Sequence, residues 1–134
     1  MGIPATHPDA PTLEQMAGPG LRAFFRIAAL WRLSVEEQLV LLGSPARSTY
    51  FKWKKEGAEA LPRDVLERIS YILGIYKALQ ILLPDEGAAD AWVRAPNQAA
   101  PFGGRSALER MLSGHVADLY EVRRYLDAER GGWP

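Results

Sequence analysis

Between Pro62 and Pro84, the residues Val65, Ile69, Ile72, Tyr76, Leu79 and Leu83 recur at alternating spacings of four and three. Only a helix gathers positions with that spacing onto one seam. Leu66, Leu73, Ile75 and Leu82 widen the apolar face beyond that of a simple coiled coil. The segment therefore reads as a central core helix around which the rest of the chain must be arranged. Proline suits the start of such a helix and cannot continue one, so Pro62 opens the run and Pro84 ends it. Gly74 costs about 1 kcal/mol in a helix interior, so its presence predicts a close helix contact or a kink.

The flanking segments read as shorter helices. Leu21, Phe24, Phe25, Ala28 and Trp31 form the stripe of a first helix, opened by Gly18-Pro19-Gly20. Ser34 and Glu37 have the spacing of a capping box, in which each side chain takes the other residue's amide. That box starts a short helix through Leu42, which Gly43 ends. Ser44-Pro45 reads as the N-cap and first position of a third helix, running through "ARSTYFKWKKE" to Gly57. After Pro84, "DEGAADAWV" is a short helix with acids in its first turn, favourable to the dipole. "RAPNQAAPFGGRS" is a loop, because two prolines and two adjacent glycines forbid regular structure. Ser106 and Glu109 form a second capping box that opens "ALERML", closed by Ser113-Gly114. The last helix runs from about His115 to Glu129, with Val116, Leu119, Val122 and Leu126 on one face. No stretch alternates as a strand, and no internal repeat is evident. The fold class is all-α: a loose arm over residues 1–17, a helix-turn-helix-like region over 18–60, and a helical half over 61–134 packed on it.

Composition narrows the function. A chain of 134 residues with 48% apolar content forms one domain, or two small helical subdomains sharing a core. Without cysteine there is no disulfide, thiolate metal site or cysteine nucleophile. "MGIPATHPDAPTLEQ" lacks a secretory pattern, and no apolar run approaches the roughly 20 residues that span a bilayer. A cytoplasmic protein without membrane contact is expected. Catalysis is a poor reading. The two histidines are His7, in the arm, and His115, at a helix start. Asp118 and Glu121 share a helix face as a solvated pair would. "PFGGRS" lacks the strand-before, helix-after setting of a phosphate loop. Zinc, P-loop and nucleophile-elbow spacings are absent from the sequence, so catalytic residues, metal ligands and cofactor are each expected to be none.

Two stretches carry chemistry. "SVEEQLVLLG" and "SPARSTYFKWKKEG" meet at a tight Gly-Ser-Pro turn, the spacing of a helix-turn-helix. The second helix holds Arg47, Lys52, Lys54 and Lys55 against Glu56, in a chain of zero formal net charge. Arg47, Ser48, Thr49, Lys52 and Lys54 are the candidate DNA contacts. The bland alternative is a solvated face with cations near the helix C-terminus. The other stretch is the end, "YLDAERGGWP". Gly131 is placed to terminate the last helix in left-handed geometry, and Gly132 precedes Trp133 and Pro134. Trp133 is an anchor for a partner, a hydrophobic cap folded onto its own domain, or an end without a role.

The stretches "LLGSPARSTYFKWKKEG", "LPRDVLERISYILGIYKAL", "WVRAPNQAAPFGGRSALERMLSG" and "DLYEVRRYLDAERGGWP", in that order, resemble the Xre/MbcA/ParS family of antitoxins, and its ParS members most of all. The resemblance runs from about residue 20 to the end. It is carried by Arg63-Asp64, Arg68-Ile69, Pro96-Asn97, Phe102-Gly103-Gly104-Arg105 and the closing Gly-Gly-Trp. It implies that residues 61–134 bind a toxin of the RES-domain type, which uses NAD to ADP-ribosylate a target or degrades the dinucleotide. It also implies that the antitoxin's C-terminal end enters the toxin's NAD cleft and blocks it. The toxin contacts implied are Pro96, Asn97, Phe102, Gly103, Arg105, Arg130, Gly131, Gly132, Trp133 and Pro134. Antitoxin dimerisation and autorepression by operator binding are further implications. A neutral chain departs from the broad basic surface of a strong DNA binder, and a homodimer would double the basic helices.

Overall fold

In the computed structural model, residues 14–131 are described. His7 and most of the expected arm lie outside that range, as do Gly132, Trp133 and Pro134. A short 3₁₀ turn, Glu14–Met16, leads into α1 (Ala17–Leu30), so helix begins earlier than expected. Pro19 falls in the first turn of α1, where its missing N–H has no intrahelical acceptor to lose. Then follow α2 (Val35–Leu41), α3 (Arg47–Glu56), α4 (Arg63–Leu82), α5 (Glu86–Trp92), α6 (Ala107–Met111) and α7 (Val116–Glu129). Among the described residues there is no strand, and the all-α expectation holds.

α4 is the centre, as its periodicity requires, packing most extensively against α7 and then α1. Val65, Ile69, Ile72, Ile75 and Leu79 are buried along it. Phe24 of α1 and Trp31, its C-cap, reach this core from one side, and Leu119, Val122 and Leu126 of α7 from the other. The two halves thus share one hydrophobic core. Gly74 supports a close contact: a Cβ there would lie 2.5 Å from the Arg123 guanidinium carbon of α7. Removing that methyl lets the arginine lie flat across α4, which runs unbroken from Arg63 to Leu82.

Both expected capping boxes form. Ser34 accepts from the Glu37 amide and Ser106 from the Glu109 amide, with each glutamate reaching back. The expected cap at Ser44 does not form. Gly43 and Ser44 are both left-handed, at φ +90° and +62°. Their amides donate to Val40 and Leu39 carbonyls, the paired bonds of a Schellman motif. Ser44 is thus used to close α2, and α3 starts later, with Ala46 at its N-cap and no side-chain cap bond.

The loop after α5 is irregular but tightly ordered. Pro96 and Ser106 form an isolated antiparallel bridge. Asn97 N–H donates to the Arg105 carbonyl, and Gly104 N–H donates to the Asn97 carbonyl. Gly103 and Gly104 hold φ of +58° and +91°, values glycine adopts without steric cost. The adjacent glycines that argue against regular structure are what let the loop turn back on itself.

Candidate functional site

The helix-turn-helix is α2, its Schellman turn and α3. α3 is fixed to the core through Tyr50 and Trp53, which are buried. The Tyr50 hydroxyl donates to Gln38 Oε1 at 2.6 Å, and Gln38 Nε2 donates to the Leu33 carbonyl. This buried chain of hydrogen bonds sets the rotation of α3. Ser48, Lys52 and Lys55 recur at helical spacing opposite Tyr50 and Trp53, and all are exposed. Arg47 and Lys54 lie on the flank. Arg47 is ion-paired with Glu36 of α2, and the Lys54 ammonium sits 5.8 Å from the Phe25 ring centroid. Thr49 is half-buried on the other flank. Of the candidate DNA contacts, Ser48 and Lys52 therefore face outward, and they are joined by Lys55. The rotation of α3, which decides this, depends on what Tyr50 and Trp53 meet in the fold.

The second surface is built by the 96–105 loop and α7. Phe102, one of the implied toxin contacts, is 5% exposed in the free chain, its ring edge-on to Trp92 at 5.8 Å and to Tyr125 at 5.2 Å. It anchors the loop. Asn97, half-buried, also organises the loop, its Oδ1 accepting from the Ala99 amide. Pro96, Gly103 and Arg105 are left exposed. A shallow cleft lined by Pro101, Glu121, Arg124, Tyr125 and Ala128 lies between loop and helix. An apolar groove of about 220 Å³, with Leu79, Leu83, Trp92 and Leu126 among its walls, lies on the other side of Tyr125. Arg130 caps α7 and Gly131 follows at φ +105°. The loop and the end of α7 therefore share one face, joined by the Phe102–Tyr125 contact.

Two arginines with structural roles have distant partners that single-chain patterns do not show. Arg68, 9% exposed, bonds Asp64 at 3.0 Å and donates to the Gly114 carbonyl at 2.9 Å, just before α7. Gly43 packs on the same pair, since a Cβ there would lie 2.7 Å from Asp64 Oδ2. Arg94 donates to the Trp31 and Arg32 carbonyls and pairs with Glu37. It thereby ties the loop-bearing half to the end of α1, where Arg32 is left-handed at φ +56°.

Two carboxyl groups are perturbed by their surroundings. Asp118 is not merely solvated: it accepts from the Ser113 hydroxyl at 2.6 Å and from Arg110 Nε at 3.0 Å. The Ser113 hydrogen bond, then the arginine, hold its carboxyl below the usual range. Burial and the neighbouring Glu86 push the Asp90 carboxyl up. Among the described residues, no cluster of histidine and carboxylate side chains is suited to a metal ion, and no helix is long and apolar enough to cross a membrane.

Two family models match this architecture and give the class: an all-helical antitoxin with a helix-turn-helix domain and a toxin-binding domain. Residues 12–74 match the antitoxin Xre-like helix-turn-helix domain. Residues 78–132 match the antitoxin Xre/MbcA/ParS C-terminal toxin-binding domain. "Uncharacterized protein y4oB" of Sinorhizobium fredii (strain NBRC 101917 / NGR234) is 60% identical over 112 residues, covering 84% of each chain. The chain belongs to the Xre/MbcA/ParS antitoxin family, and its partner is a toxin.

Proposed function

We propose that this antitoxin neutralises a RES-domain, NAD-using toxin by occluding the NAD-binding cleft with its C-terminal region. The observation that carries the reading is the shared face of the loop and α7, with Tyr125 packed on Phe102 at its centre. Gly131, left-handed and exposed, ends α7 as a C-terminal glycine does, and Trp133 and Pro134 are the residues proposed to enter the cleft. Steric occlusion requires competition. A slowly hydrolysed NAD analogue is expected to weaken antitoxin binding in proportion to its occupancy of the toxin. Binding unchanged at saturating analogue would overturn occlusion.

A second reading is autorepression by a homodimer bound to operator DNA. The outward face of Ser48, Lys52 and Lys55 on α3 favours it. Two copies present two such helices to successive half-sites, which compensates for the neutral charge of one chain. Salt-dependent binding to the promoter of its own gene, by the antitoxin alone or with toxin, is the test; no such binding would remove this reading.

A further inference from the structure

Phe51 of α3 is 46% exposed. Helix geometry makes Arg47, Ser48, Lys54 and Lys55 its surface neighbours, at three and four residues on either side. An apolar side chain ringed by three cations is unlike the centre of a protein–protein interface, where lysine is depleted. The ring is held in place rather than loose. It stands edge-on to buried Tyr50 at 5.0 Å, and the Arg47 guanidinium sits 5.9 Å from its centroid. Arg47 is in turn ion-paired to Glu36 of α2. The result is a hydrophobic knob on the N-terminal half of the helix, where base edges are met in a major groove. In that groove the C5-methyl of thymine is the apolar group a side chain such as phenylalanine contacts.

We propose that Phe51 is a specificity-determining residue that reads a thymine methyl in operator DNA. The inference rests on the DNA-binding reading above and adds what the helix recognises: Lys52 and Lys55 meet phosphates, and Phe51 packs on thymine. Deoxyuridine pairs as thymine does and lacks only the methyl, so it isolates this contact. The test uses the full chain, with its toxin where the complex is the binding species. The probe is a duplex from the promoter of its own gene, with each thymine replaced in turn by deoxyuridine. The wild-type protein is expected to lose about fourfold in affinity at the contacted thymine, the value of one buried methyl. Phe51→Gln, with good helix propensity, is expected to bind both probes equally. Phe51→Leu is expected to keep part of the discrimination. Circular dichroism confirms that the variants fold. Equal wild-type binding to every deoxyuridine probe, or an unchanged ratio in Phe51→Gln, would overturn the inference while leaving the DNA reading intact. No salt-dependent binding of any probe would overturn both, and loss of toxin binding in Phe51→Gln with no effect on DNA would assign the knob to the toxin instead.

Discussion

Arg68 joins three parts of the fold, so its replacement tests how the halves are held. Its guanidinium bonds Asp64 within α4 and the Gly114 carbonyl beside the start of α7, while Gly43 of the helix-turn-helix packs on the pair. Arg68→Met keeps most of the alkyl packing and removes both polar interactions. The Asp64 bond contributes little, because the Asp64 side chain is 56% exposed. The Gly114 bond is charge-assisted and shielded by an arginine side chain only 11% exposed. Such bonds contribute about 1.5–3 kcal/mol, partly offset by relief from burying the guanidinium. A net loss of about 2 kcal/mol follows, or about 6–8 °C in Tm at this chain length. Urea denaturation followed by circular dichroism measures it, with Asp64→Asn as the control, expected to cost under about 1 kcal/mol. If Asp64→Asn costs as much as Arg68→Met, the i,i+4 pair is the source of stability. If Arg68→Met costs less than about 0.5 kcal/mol, the bond to Gly114 contributes nothing.

Other expectations concern pH and charge. The Asp118 carboxyl is held below its unfolded value by Ser113 and Arg110, so it stabilises the fold above about pH 4 and the contribution is lost as pH falls through the folded value. Asp118→Asn should destabilise at pH 7, and the difference from wild type should shrink in stability curves taken below pH 4. Asp90 has the opposite sign: its carboxyl is raised by burial and Glu86, so ionisation costs stability as pH rises. Asp90→Asn should therefore raise Tm at pH 7 and be neutral below about pH 4; a drop at pH 7 would contradict the account. If α3 engages operator DNA, Lys52→Ala with Lys55→Ala should flatten the salt dependence by about one unit of slope for each phosphate left without its lysine. Arg47→Ala with Lys54→Ala should flatten it less, since those cations are engaged by Glu36 and Phe25.

What was legible in the sequence was local or periodic. α4 is set by a repeat that survives any arrangement of its neighbours, and the boxes at Ser34 and Ser106 are closed by a residue three positions on. Ser44 misleads because Ser-Pro has the pattern of a cap, whereas the preceding Gly43 commits it to closing α2. The burial of Phe102 is not legible locally, because the rings that cover it come from α5 and α7. Arg68 and Arg94 lie beyond pattern reading, with partners 46 and 62 residues away. Close packing across the core creates such pairings, and single-chain periodicity carries no trace of them.

Occlusion by the C-terminal region is the central claim, and NAD consumption by the toxin tests it most directly. A RES-domain toxin, the partner proposed here, is to be purified and titrated with the full antitoxin or with a chain ending at Glu129. Helix α7 ends at that residue, so the truncation spares every helix among the described residues and circular dichroism should be unchanged. The account predicts that the full chain suppresses NAD consumption at equimolar ratio and that the truncated chain binds but leaves consumption largely restored. Full inhibition by the truncated chain would contradict it.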